Sequence, residues 1–456
     1  MVAIITDTFK RLILDNIYDN VVDSNNTYYI GIGRSEAWNN TDTPPVPNNS
    51  LKDIRDFRLS MQSVKNAEAV EYVIPRYNWS SGTIYSGYDD NTTGYPTNAY
   101  YVFTDENAVY MCIQQSRDAN GNASASTIQP TGTLTYPYES ADGYVWKYLY
   151  TISALTATKF VSANYIPAQF VTSVDSASSA LAIEQKSIQD GAKPGQITAI
   201  AITAGGTGYT SNPSVLITGN GSKVASASAT ISNGSVVKVE MDDSDQSKAL
   251  GLGYDYASVT FSGGGGTGAS ARPILSSKGG LGADPRSDLR ATALMFNTQI
   301  TGAEGNEFIV SNDFRQIAII KNPKVPGTDS DFQAQVGGAL RKLKFSTVAN
   351  TFSEDNTLLG TVSGAKGLVD AQDSSVVLFH QTELTGFIPF IEGETITETD
   401  GVGEGILDSA GFDADTNAFS TLKVNNLSGE IIYLDNRAAI ERADEQTEDI
   451  KVIIQL

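Results

Sequence analysis

Punctuation constrains this chain more than any other feature. Clusters of Gly, Asn, Ser and Thr, drawing on 41 glycines, recur along its 456 residues, and the apolar or alternating runs between them are short. A strand is complete in about 4–8 residues, whereas a helix needs about 10–12 or more. Frequent turn signals with short runs between them predict a mainly β chain, built as antiparallel β-sandwich or barrel domains with a few short helices.

The individual runs fit that pattern. From Gly143 to Ile152 the sequence alternates with period two, and one face carries Tyr144, Trp146, Tyr148, Tyr150 and Ile152. Such a row is read as sheet packing, because aromatic burial dominates core and interface energetics. Ile317-Ala318-Ile319-Ile320 is continuously apolar and ends at Asn322-Pro323, as expected of a central strand covered on both faces and closed by a turn. Ile450, Val452, Ile454 and Leu456 alternate with Lys451, Ile453 and Gln455, which predicts a last strand docked in a sheet. Two helices are expected near the N-terminus. One, from Thr8, sets Phe9, Leu12, Ile13 and Ile17 at helical spacing; the other opens at Ser50, with Asp53 three residues on as in a capping box.

Residues 195–275 hold a two-fold repeat. Gly206-Thr207-Gly208-Tyr209 precedes Ser214-Val215-Leu216-Ile217-Thr218-Gly219, and Gly251-Leu252-Gly253-Tyr254 precedes Ser258-Val259-Thr260-Phe261-Ser262-Gly263. A weaker pair spans Thr361–Asp370 and Thr399–Asp408. Two copies are too few for a solenoid, so small β modules are expected, whose faces are buried by stacking or pairing.

Charge and residue types narrow the chemistry. The formal charge is −21, from 31 basic and 52 acidic residues, so neither nucleic acid nor anionic lipid is an expected partner. No run approaches the ~18 apolar residues of a membrane span, and Met1–Asp7 lacks the pattern of a secretion signal. The single cysteine, Cys112, excludes an intrachain disulfide and fits a reducing compartment. The one histidine, His380, lies in a strand-like run without a second histidine or a nucleophile elbow, and is read as packed or surface rather than catalytic. The Gly263–Gly268 run lacks the Lys and Ser/Thr of a phosphate loop and is read as a β-turn. Asp242-Asp243-Ser244-Asp245 and Asp413-Ala414-Asp415 are acidic enough to attract calcium, but neither completes the loop that ends in a bidentate Glu. No catalytic residue, cofactor, metal or small-molecule substrate is expected.

Six ordered blocks carry a resemblance. They are Gly33-Arg34-Ser35-Glu36-Ala37-Trp38, Val73-Ile74-Pro75-Arg76-Tyr77-Asn78-Trp79 and Asp142-Gly143-Tyr144-Val145-Trp146-Lys147-Tyr148-Leu149; Phe314-Arg315-Gln316-Ile317-Ala318-Ile319-Ile320 with Asn322-Pro323; Gly429-Glu430-Ile431-Ile432-Tyr433 with Asn436-Arg437; and Glu445–Ile450. Together they resemble the baseplate wedge subunits of T-even-like, contractile-tailed bacteriophages. Ala37 and Ala438-Ala439 depart from prolines of that family, and about 190–280 and 345–425 exceed its length.

The resemblance implies a homodimeric structural protein with two β domains. Residues 1–80 and 285–456 would form a discontinuous outer domain, and 81–284 an inserted one. It also implies a place in the virion tail beside other wedge proteins, after assembly in the host cytoplasm. Gly33, Pro75 and Gly143 are the expected turn formers, and Trp38, Trp79 and Trp146, with Tyr144, the expected anchors. Arg34, Arg76, Arg315 and Arg437 are expected to pair with acids such as Glu36 and Glu430, and Asn436 joins them as a candidate. Two alternatives stay open: a tail module binding a receptor glycan through the repeats, and a polysaccharide depolymerase using two carboxylates.

Overall fold

A computed structural model describes residues 4–40, 43–242, 250–410 and 422–456. The chain is mainly β, its sheets antiparallel and its helices few. It divides into two units: 1–14, 71–295 and 453–456 in one, 15–70 and 296–452 in the other. The chain therefore changes unit inside helix Asp7–Val22 and inside strands Ala69–Pro75, Ala293–Thr301 and Thr447–Gln455. The first fourteen residues and the last four cluster with the unit of 71–295, not with the outer domain expected to hold both ends.

In the unit of 71–295, a four-stranded sheet runs in the order Tyr101–Phe103, Ala108–Gln114, Val145–Thr151, Tyr138–Glu139. Its aromatic row packs as expected: Tyr144, Trp146, Tyr148, Tyr150 and Ile152 are all buried. The opposite face is closed too, because Lys147 and Leu149 are also buried. Tyr144 stacks on Trp146 at 5.5 Å, and Tyr85 meets Trp146 edge-on at 5.7 Å.

The repeat forms a six-stranded sheet ordered Ser235–Met241, Ala227–Ser232, Ser214–Gly219, Ala257–Ser262, Thr267–Leu275, Ile197–Thr207. Its two matching strands are neighbours, paired from Ser214↔Ser262 to Gly219↔Ala257. Tyr209 and Tyr254 fill the core beneath the paired glycine turns. A Cβ at Gly266 would stand 2.4 Å from the Tyr209 ring, and one at Gly221 2.4 Å from the Tyr254 ring. Each tyrosine is thus admitted by a glycine of the other copy, and Gly263–Gly266 forms a turn between strands, with Gly268 already inside Thr267–Leu275.

The unit of 15–70 and 296–452 holds a five-stranded sheet ordered Val336–Gly338, Met61–Asn66, Tyr28–Gly33, Asp313–Lys321, Glu430–Glu441. Ile317–Ile320 lies inside it, buried throughout. Helix Leu51–Ser60 starts at Ser50, whose side chain accepts from Asp53 N, and lays buried Phe57 on the sheet. The capping box is not reciprocal, for the Asp53 carboxylate accepts from Asn48 N at 2.6 Å instead. Helix Asp7–Val22 forms where expected, but only Leu14 is buried and Phe9, Leu12 and Ile13 stay exposed.

The weaker repeat belongs to a closed six-stranded barrel, ordered Arg341–Asn350, Val376–His380, Lys366–Asp373, Thr357–Gly360, Thr395–Glu398, Glu404–Leu407. Each copy makes one hairpin. Leu343, Phe345, Leu358, Val369, Phe379 and Ile396 fill the interior.

Tyr254→Ala should destabilise the repeat module by about 3–5 kcal/mol, the usual cost of deleting a buried aromatic ring. Tyr256→Ala, at a ring 66% exposed, should stay within about 0.5 kcal/mol. Urea unfolding of the two variants checks both values.

Candidate functional site

The first shared block, Gly33 to Trp38, leaves the end of strand Tyr28–Gly33 and turns sharply. Gly33 is required there because a Cβ would meet Ser60 O at 2.8 Å. Arg34 follows with φ of 60°, a left-handed conformation that non-glycine residues rarely adopt. The turn aims the side chains of Arg34, Ser35, Glu36 and Trp38 at different neighbours. Arg34 lies over the Trp38 ring at 4.0 Å, and Trp38 Nε1 donates to Arg437 O at 2.7 Å. Ser35 is fully buried, its hydroxyl bonded to Asp370 Oδ1 at 3.4 Å and its carbonyl to the Arg315 guanidinium.

Glu36 Oε1 lies 3.1 Å from His380 Nε2, and on the other side of the ring Asp370 Oδ2 lies 2.7 Å from Nδ1. The imidazole is 3% exposed and the Asp370 carboxylate 0%. His380 ends a barrel strand and Asp370 lies in the next one, whereas Glu36 belongs to the turn beside the five-stranded sheet. One ring therefore ties the barrel to the sheet within this unit.

The charge states follow from the geometry. Burial alone would push the imidazole down, but the Asp370 and Glu36 carboxylates outweigh it and raise the pKa to about 10. Burial likewise acts to raise Glu36, yet the hydrogen bond and charge of His380, with Arg34 nearby, hold it below its ordinary range. His380 is thus a buried cation between two carboxylates. Asn312 Nδ2 donates to Asp370 O at 2.9 Å, and Arg315 pairs with Asp313, completing the shell.

The expected acid partners of the arginines need correction. Glu36 serves His380 through its hydrogen bond, Arg315 pairs with Asp313, and Arg437 pairs with Asp435 at 2.9 Å rather than with Glu430. Two-residue spacing along a strand puts both partners on one face, so the shorter Asp wins over more distant Glu residues. Asn436 links strands, accepting from Gln316 Nε2 and donating to Pro45 O, both at 2.8 Å. Arg76 takes no acid among the described residues: it donates to Asn78 Oδ1 at 2.8 Å and Ser162 O at 2.9 Å, over the Phe103 ring.

In the other unit, Gly143, Tyr144, Trp146 and Trp79 gather around one turn, while Pro75 ends the strand Ala69–Pro75. Gly143 has φ of 83°, beside Asp142. The Asp142 carboxylate accepts from Ser126 Oγ, Thr127 N and Ile128 N at 2.8–3.0 Å. Ser126 also accepts from Trp79 Nε1 at 3.2 Å, and Tyr144 donates to Ser124 O at 2.7 Å. Pro75 O accepts from Tyr101 at 2.6 Å. Of the three tryptophans, Trp146 is fully buried, while Trp38 and Trp79 are half-buried.

Sequence reasoning missed Asp370, Ser35 and Arg442. Arg442 is buried, donates to Ile309 O at 2.6 Å and Gly302 O at 2.8 Å, and forks onto Glu448 at 3.0 and 3.1 Å. The presence of Glu448 in the last shared block was its one signal.

The Ser35 hydroxyl bonds Asp370 instead of the imidazole, and both ring nitrogens are held by carboxylates, which removes the free base a nucleophile requires. The carboxylates sit on opposite ring edges and do not converge. Among the described residues no group of three His, Cys, Asp or Glu side chains is placed to hold a metal ion. Asp243–Asp245 and Asp413–Asp415 of the two acidic runs lie outside the described residues. A cleft of about 370 Å³ borders the repeat module, lined by residues such as Ile200, Val237, Gln114 and Arg117. Its one aromatic lining residue, Tyr88, is 8% exposed, a poor stacking platform for a sugar. No helix among the described residues is long and apolar enough to cross a membrane.

No family model matches the chain. It is similar to the baseplate wedge protein gp8 of Enterobacteria phage T4, 26% identical over 185 residues. The match covers 33% of this chain and 55% of that relative, so the chain spans about half the length of the curated protein it resembles.

His380→Leu should cost about 3–5 kcal/mol near pH 6, since it strands two carboxylates. A base raised from about 6.5 to about 10 contributes fully below pH 6.5 and loses that contribution as pH rises towards 10. The stability gap between wild type and variant should therefore shrink across that window in denaturant titrations. A gap independent of pH would mean an uncharged ring.

Proposed function

We propose that this protein is a structural, non-catalytic subunit of the baseplate wedge of a contractile phage tail. It forms a homodimer, assembles with other wedge proteins in the host cytoplasm and remains in the virion. The partial likeness to the T4 wedge protein carries this reading. The geometry supports it: the candidate arginines, glycines and aromatics make internal ties between strands and turns. Such wiring suits a part that transmits load without changing shape.

Light scattering of the purified chain at several concentrations should give a mass near twice 48.6 kDa. A monomer overturns the dimer, and a trimer favours a receptor-binding spike. Purified tails should contain the chain, and a phage lacking it should fail to complete its baseplates. Intact, contracting tails made without the chain would refute the wedge role.

A further inference from the structure

Between the Gly33–Trp38 turn and helix Leu51–Ser60 runs the stretch Thr43-Pro44-Pro45-Val46-Pro47-Asn48, which belongs to no strand or helix. Three of its four central residues are prolines, which lack the N–H that a strand ladder or a helix needs. Each proline fixes φ near about −65° and drives the residue before it to an extended conformation. Both rules lead to the polyproline II helix, with three residues per turn. Exposure follows that period: Pro44 and Pro47, three apart, are half-buried, while Pro45 is exposed and Val46 is 87% exposed.

The stretch is held along its length. Asn436 Nδ2 donates to Pro45 O at 2.8 Å, and Gln316 Nε2 fixes Asn436 in turn through its Oδ1 at 2.8 Å. At the far end, Asn48 N donates to Asp53 Oδ2 at 2.6 Å and Asn48 O accepts from Ser50 N. Upstream, Trp38 is tied to Arg437 O at 2.7 Å. A ridge ordered in advance loses little further entropy when a partner closes on it.

We propose that Pro45 and Val46 form a polyproline ridge that docks in an aromatic-lined groove of a different protein of the tail, an inference that rests on the baseplate reading. The backbone chemistry selects this occupant. Positions 44, 45 and 47 have no N–H, so the ridge cannot be added to a sheet edge, which is read through main-chain hydrogen bonds. Recognition falls to the carbonyls and to the faces of the proline rings, which aromatic side chains cover in grooves built for such helices. From Thr43 to Asn49 there is no charged side chain, which leaves a lipid headgroup or a phosphate backbone nothing to pair with. The exposed rings of a second copy supply no such groove: among the described residues Phe9, Tyr136, Phe170, Tyr256 and Phe387 make no ring–ring contact with one another.

A photo-crosslinking residue replacing Val46 tests it in purified, irradiated tails. The expected product joins this chain to a tail protein of different sequence, at a peptide that contains Tyr, Trp or Phe. Val46→Asp should lower incorporation into tails by about tenfold, the loss of one anchor contact, with an unchanged melting curve. Val46→Pro, which keeps the ridge apolar and in the same helix, should be incorporated normally. A product with a second copy, a crosslinked peptide without an aromatic residue, no product from tails that hold the chain, or equal incorporation of the two variants overturns the ridge. Absence of the unaltered chain from tails overturns the baseplate reading instead.

Discussion

A protonated imidazole buried between two carboxylates holds one unit together. His380, Asp370 and Glu36 come from a barrel strand, its neighbour and a turn beside the five-stranded sheet. A buried ion pair adds little net stability over a well-packed apolar contact, but breaking one partner is severe. Its value is direction. Each ring nitrogen accepts one geometry, so the barrel is set against the sheet in a single orientation. The Gly33–Trp38 turn, with Arg34 in a left-handed conformation, carries Ser35, Glu36 and Trp38 to three different neighbours from within four positions.

The other unit reaches rigidity by different means. Asp142 gathers a hydroxyl and two backbone amides beside a left-handed glycine, and Tyr144 stacks on Trp146 behind it. Dense aromatic packing combined with a satisfied, half-buried carboxylate leaves little freedom to rearrange locally. The two β modules follow one economy: a duplicated strand or hairpin pairs with its own copy. In the repeat sheet this places Ser214–Gly219 beside Ala257–Ser262, so one sequence pattern covers both faces of the pairing.

Much of the fold was legible because it is local. Period-two alternation predicted the Val145–Thr151 strand and its aromatic face, since side chains of a strand must alternate whatever lies beyond it. The continuous run Ile317–Ile320 predicted a covered central strand, and Ser50 predicted a helix start. The site was less legible. Its residues were flagged through resemblance, but their partners were not: Glu36 and His380 are 344 positions apart. Nothing in the local pattern of Glu36 distinguishes a carboxylate bound for a buried histidine from one bound for Arg34. His380 looked like an ordinary packed side chain because its charge depends on neighbours that only folding supplies.

By itself the sequence determined the β class, the strand periods, the two duplicated modules and the glycine turns. All of these depend on steric rules and hydrophobic periodicity acting within a few residues. Tertiary structure alone decided which duplicated strands pair, which arginine meets which acid, and that His380 is a cation. It also decided that the apolar face of the first helix and Leu384 stay in solvent. The reason is physical: charge state, pairing and exposure are set by distances between segments remote in sequence, and those distances exist only once the core has closed.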